Sequence, residues 1–335
     1  MFNYPSTPTD LNDIPYPSNN DVQVFIGPIS SSAAGSEWKI WNKPKGSTMT
    51  YMIAIGGGAG GGGGGQGISG NQKGGGGGGG SSGITTLLIP SFFLPDILYV
   101  SAGSGGEGKP LRTVTAVGPA GGTGNISYVA FSIGLTAGSP SAPAGANILL
   151  QSNAAAAAGG TTGGNGGGQG LGGAAATINT APTTVGTLGL FASIAGQAGT
   201  NGGTATTSGT NLSAWSTIPL SSGTGGAGAN AAGASLVGGN ITATTATLFQ
   251  KVNWAAAGTI ASGGSFTGQR NGNAGVKLWD PFITSGGAGA GSDGTTGGNG
   301  ADGGIGSGGG GGSAAITTAG NGGNGGPGMV MIVSW

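Results

Sequence analysis

Histidine and cysteine are both absent from this 335-residue chain, and charged side chains make up only 5% of it. Without cysteine there are no disulfides and no thiolate metal sites, and the redox compartment is left open. Without histidine, the usual general base near neutral pH and the commonest nitrogen ligand are missing. The nine basic residues are scattered from Lys39 to Lys277, and only Lys39, Lys43 and Lys45 fall close together. That trio reads as a solvated loop before a strand. A nucleic-acid binder needs clustered cations to displace counterions from phosphates, so nucleic acid is not an expected partner. No apolar run reaches the roughly 18 residues a membrane span requires, so no membrane insertion is expected. The first thirty residues lack a basic start followed by an apolar core, so no secretory signal is expected.

Chemistry has little to work with. Acid–base and nucleophilic catalysis need positioned titratable groups, and what remains is nine carboxylates, the lysines and hydroxyls. Asp293 and Asp302 share a glycine tract, but nothing in the pattern apposes them as a glycosidase pair, and they read as turn residues. Acidic calcium-loop patterns are missing. Gly56-Gly57-Gly58 and Gly103-Ser104-Gly105-Gly106 match a loose phosphate-loop template, yet no Gly-Lys-Ser or Gly-Lys-Thr follows. The chain is therefore expected to be no enzyme and to carry no cofactor and no metal.

What the sequence has in abundance is glycine: 85 residues, against about 7% in an average protein. Such composition marks either disorder or a special ordered architecture. Disorder goes with low hydrophobicity and high net charge. Here the net charge is zero and 36% of residues are hydrophobic, which favours order.

Two kinds of segment alternate from residue 47 onward. Short apolar or β-branched stretches have strand length: Thr48–Ile55, Ile84–Ile89, Ile97–Val100, Ile126–Ile133, Asn147–Leu150, Leu188–Ile194, Ile241–Phe249, Val276–Trp279 and Met329–Trp335. The last is matched in length and character to Thr48–Ile55, and the two are expected to pair. Between them lie glycine tracts at 56–67, 74–80, 159–173, 223–228, 286–312 and 320–328, with glycine at every third position from 291 to 312. A period of three is that of the polyproline II helix, which has no internal hydrogen bonds. Threads without side chains can approach until their backbones bond to one another. The fold class expected is mainly β and irregular, a sheet or sandwich of short strands combined with a polyglycine-II bundle and essentially no α-helix. Glycine loses more freedom on folding than any other residue, so the apolar strands must nucleate the threads.

Residues 1–46 differ, with Pro5, Pro8, Pro15, Pro17, Pro28 and Pro44 and little glycine. They read as an extended docking arm, leaving 47–335 as a glycine-rich body. Aromatics are scarce. Trp38, Trp41 and Trp335 sit near strand ends as packing anchors. Trp215, Trp254, Phe266, Trp279 and Phe282 lie between tracts, where they could cap the core or present rings to a ligand. Arg270 sits in the most loop-like polar stretch, 267–273. These six residues, Trp215, Trp254, Phe266, Arg270, Trp279 and Phe282, are the candidate receptor contacts.

A Trp-x-x-Pro opening at Trp41–Pro44, a strand running into GGGAGGGGGG, and a closing GNGGNGGPG before a short strand ending in Trp335 resemble glycine-rich virion proteins of phages. The layout is similar to distal tail-fibre adhesins of T-even-like phages. The resemblance covers about residues 40–335 and is one of composition and layout. It implies polyglycine-II helices packed as a rigid sandwich whose connecting loops contact the host surface. By that likeness the chain is expected at the virion surface, joined to other virion proteins through residues 1–46, and part of a homo-oligomer or symmetric assembly. Its host ligand would be a surface glycan or an outer-membrane protein. A virion component also fits a chain that acts outside cells without an export signal. The alternatives are a purely structural virion protein (a capsid spike, fibre or decoration protein) and an ice-binding protein, the latter weakened by threonines that fall on no regular repeat.

Overall fold

The computed structural model describes residues 21–29, 38–67, 73–109, 118–133, 148–152, 173, 188–214, 219–229, 235–243, 259–279 and 282–335. Among them there is no α-helix, only a three-residue 3-10 turn at Ser91–Phe93. The strands are β1 (Asp21–Ile26), β2 (Lys39–Asn42), β3 (Met49–Ile55), β4 (Ile84–Pro90), β5 (Ile97–Ser101), β6 (Ser127–Ala130), β7 (Ile148–Ser152), β8 (Leu190–Ile194), β9 (Leu212–Ala214), β10 (Ile241–Ala243), β11 (Thr259–Ala261), β12 (Lys277–Trp279), β13 (Phe282–Thr284) and β14 (Met329–Ser334).

Two antiparallel sheets pack face to face, one ordered β1-β14-β3-β4-β8 and the other β2-β5-β6-β7. Alternation dictates which residues meet: Met52, Ala54, Leu87, Ile89, Val330 and Ile332 from the first sheet face Trp41, Leu98, Val100, Val129 and Leu149 from the second. The expected pairing of the last strand with Thr48–Ile55 is present, in the register Met329–Ile55 to Ser334–Thr50. Two small sheets, β9-β10-β11 and β12-β13, stand beside this sandwich. Of the segment read as an arm, residues 21–26 and 39–42 are edge strands of the two large sheets, because β-branched and aromatic residues there complete the core. Residues 1–20 lie outside the described set, as does most of the tract 159–173.

The glycine tracts continue the strands. Beyond β3, the N–H groups of 58, 61 and 64 bond to the carbonyls of 326, 323 and 320; those of 59, 62 and 65 to 80, 77 and 74; and those of 57, 60 and 63 to 125, 122 and 119. Each successive residue thus turns to a different neighbour, with a repeat of three. The first two neighbours continue β14 and β4, which flank β3 in its sheet. The third continues β6, which belongs to the opposite sheet. Where side chains are present, the sheets must stand about 10 Å apart. Where they vanish, the two sheets close into one lattice held by main-chain hydrogen bonds.

The thread 307–315 is enclosed on every side. It bonds to 59–65, 76–79, 224–227, 287–290, 298–304 and 320–326. A side chain has nowhere to go there. A Cβ on Gly308, Gly309, Gly310, Gly311 or Gly312 would strike the carbonyl of Gly79, Gly323, Ala288, Gly76 or Gly320 respectively. The triplet run from 291 to 312 is not one thread, however. Gly294 and Gly306 take positive φ values of 87° and 69° and turn the chain back, dividing the run into three antiparallel threads.

Where period two gives way to period three, backbone groups lose their strand partners. A belt of buried hydroxyls meets them. Ser127 Oγ donates to the Ile55 carbonyl and accepts from Gly103 N–H, Ser152 Oγ donates to Gly83, and Thr284 Oγ1 donates to Ile305. At the outer edge of the lattice, the threads are joined by a recurring clamp. Asn271 Oδ1 and Gly272 N–H grip the N–H and carbonyl of Asn299; Asn299 and Gly300 grip Asn321 in the same way; Asp302 and Gly303 grip Asn324. Asn211 and Leu212 repeat it on Asn240. Asp302 is therefore a thread residue, contrary to its expected place in a turn. Asp293 does sit in a turn, where Oδ1 accepts from the N–H groups of Thr295 and Thr296.

Candidate functional site

Register gives the molecule two ends. At the strand end, Asp21 lies opposite Ser334 and Thr50 opposite both Ser334 and Ile89. At the thread end, Gln66 bridges Ala315, Lys73 bridges Ala229, Leu236 bridges Ser292 and Thr296 bridges Thr318. The connections between threads converge there.

Those connections form the candidate site. The loop 265–270 meets the turn 292–297 through Gly291 N–H to the Arg270 carbonyl, and Arg270 pairs with the Asp293 carboxylate. The turn in turn holds 316–318: Ile316 N–H donates to Gly294, Thr317 N–H to Thr295, and Gly297 N–H to Thr318. Gln66 Nε2 adds a bond to the Thr317 carbonyl. Among the described residues this surface holds the Arg270–Asp293 ion pair, with the Arg270 side chain 40% exposed and Asp293 also accepting two backbone N–H groups. Around that pair the exposed described residues include Thr206, Thr207, Thr267, Thr295, Thr317, Thr318 and the ring of Phe266, which is 42% exposed. The outward groups are thus hydroxyls, with an aromatic face among them.

The six candidate contacts do not form one cluster. Phe266 and Arg270 lie at the thread end. Trp279 and Phe282 face each other across the β12–β13 pair, near the level where the strands pass into threads. Phe282 is half-buried against Ile55, Ile84, Leu220, Ile305 and Met329, a packing position. Trp215 and Trp254 fall outside the described residues. The sequence reading weighed the threonines only for ice binding and did not place them among the receptor contacts. Their signal was the Thr-Thr pair that interrupts a glycine-rich stretch at 206–207, 295–296 and 317–318, each at a turn of the thread end.

The strand end is mixed: Lys43 pairs there with the exposed Asp96, Lys45 is exposed, and large apolar side chains are exposed beside them. Phe92 is 75% exposed and Leu190 73%, with Phe93, Phe131, Ile133 and Leu188 exposed beside the same strand termini. Neither a family model nor a curated protein matches this chain.

Proposed function

We propose that this chain is a non-enzymatic adhesin of a virus particle, in which the threads carry a host-binding surface at their far end and the strand end faces the particle. The observation that carries this reading is the chemical division of the two ends. One end exposes large apolar and aromatic side chains beside the Lys43–Asp96 ion pair, and β1 begins there. The other is hydroxyl-rich and neutral, and it stands on a lattice that side-chain motion cannot loosen. The threefold hydrogen-bond repeat supports polyglycine-II geometry for the threads. At about 3.1 Å per residue, a nine-residue thread would set the loops roughly 28 Å beyond the strands. Loops presented by a rigid scaffold bind without a large ordering cost, which is what an attachment protein at a fibre tip requires.

The contact set in this reading is Phe266 and Arg270 with the threonines of 295–296 and 317–318. Phe282 supports the body. Attachment to other virion proteins runs through residues 1–20 and the apolar strand end. The test is adsorption of the purified protein to a panel of bacterial cells, compared with a Phe266→Ala/Arg270→Ala double variant. Binding to at least one strain, weakened about tenfold or more by the double substitution with no change in thermal midpoint, supports the adhesin. Binding to no strain, or binding indifferent to the thread end, defeats it and leaves a purely structural virion protein.

A further inference from the structure

Asn-Gly is the dipeptide most prone to losing its side-chain amide. The glycine nitrogen sheds its proton and attacks the asparagine Cγ, a C–N bond forms, and ammonia leaves with the displaced amide nitrogen. Water then opens the five-membered ring to aspartate or isoaspartate. Ring closure needs the nitrogen free and the carboxamide swung over it.

The edge of this lattice is built from that dipeptide. Asn271-Gly272, Asn299-Gly300, Asn321-Gly322 and Asn324-Gly325 all lie in threads, and Asn271 and Asn299 are exposed to water. At Asn271, Asn299 and Asn324 both reacting groups are held. Asn271 Oδ1 accepts from Asn299 N–H at 2.8 Å while Gly272 N–H donates to the Asn299 carbonyl at 3.0 Å. Asn299 Oδ1 accepts from Asn321 N–H at 2.9 Å while Gly300 N–H donates to the Asn321 carbonyl at 2.8 Å. Asn324 Oδ1 accepts from Gly108 N–H at 2.9 Å while Gly325 N–H donates to Gly106 at 2.8 Å. The fourth has its glycine N–H held by the Lys109 carbonyl at 3.1 Å.

We infer that Asn271, Asn299 and Asn324 are latent deamidation sites latched by the thread lattice, so that the folded chain stays chemically intact at positions where the open chain would age. The same two hydrogen bonds that join one thread to the next hold the nucleophile and the electrophile apart. Conversion requires the edge thread to leave first. Isoaspartate formation lengthens the main chain by one carbon, which destroys the threefold register and prevents return. Damage at Asn299 therefore releases Asn321 on one side and unseats Asn271-Gly272 on the other.

The test is incubation of the full chain at mildly alkaline pH, folded and in denaturant, with peptide mass spectrometry reading the conversion of amide to acid at each site. Asn271, Asn299 and Asn324 are expected to convert about tenfold or more slowly in the folded chain, because reaction waits on local opening. Amide exchange supplies a second readout: the N–H groups of Gly272, Gly300 and Gly325 should be protected to the same degree as the reaction. Equal conversion rates in the two states, or protected amides beside freely converting asparagines, would overturn the inference.

Discussion

Gly309 donates its backbone N–H to the carbonyl of Ala59 at 2.9 Å, and Gly79 donates its own to Gly309 at 2.8 Å. Three stretches far apart in sequence thus meet at one residue with no side chain between them. The lattice resembles a sheet extended in a second direction. In a sheet, a strand bonds to two neighbours and spends its remaining faces on side chains. Here a thread bonds on all sides, which requires glycine wherever a Cβ would strike a neighbouring carbonyl.

That geometry makes stability hostage to single methyl groups. Gly310→Ala places a Cβ against the Ala288 carbonyl, which is backbone held by its own hydrogen bonds. The expected cost is about 3 kcal/mol, at the upper end for overpacking. Thermal unfolding should show it as a lowered midpoint. Gly268→Ala is the comparison. Its φ of 104° makes alanine strained, but nothing lies within 4 Å of the new atom, so a cost of about 1–2 kcal/mol is expected.

The hydroxyl belt is testable at Ser127, whose side chain serves the Ile55 carbonyl and the Gly103 N–H together at the point where strand becomes thread. Ser127→Ala leaves the Gly103 N–H unpaired and removes one donor from the Ile55 carbonyl, in a fully buried place. A loss of about 1–3 kcal/mol is expected in denaturant titration. Ser127→Thr, which keeps the hydroxyl, should recover part of it.

Phe266 and Phe282 should separate by phenotype. Phe282→Ala empties a half-buried packing site and is expected to lower stability by about 2 kcal/mol while cell binding of the folded protein is unchanged. Phe266→Ala should do the reverse. Paired measurements of thermal midpoint and adsorption check both, and a shared phenotype would contradict the division of ends.

Removal of β1 should convert a folded body into an associating one. Deleting residues 1–29 strips β14 of its outer partner and exposes a strand edge carrying Met329, Val330, Met331, Ile332 and Val333 with no charge among them. Such an edge pairs with other chains. Light scattering should report growth of large species, whereas deletion of residues 1–20 alone should leave the size distribution of the full chain unchanged.

Much of this architecture was legible in residues alone. All nine expected stretches contain a strand among the described residues, because short β-branched runs bounded by glycine have few other uses. The strands missed, β1, β2, β9, β11 and β13, are short or polar or lie beside proline, and only their partners make them strands. The threefold spacing announced threads that bond sideways, since glycine at that interval serves little else. Where the chain turns back was not legible. Gly294 and Gly306 sit on the same triplet grid as Gly297 and Gly309, and local sequence gives no reason for two of them to take positive φ. Tertiary structure decided that, by placing Ser292–Gly297 against Leu236 and Thr318, and Ile305 against Ile55 and Leu220. It likewise decided that Phe266 is exposed at the thread end while Phe282 packs against Ile55 and Met329 at the junction of strand and thread. Composition fixes how closely backbones can approach, but only the folded register determines which of many equivalent glycines become neighbours.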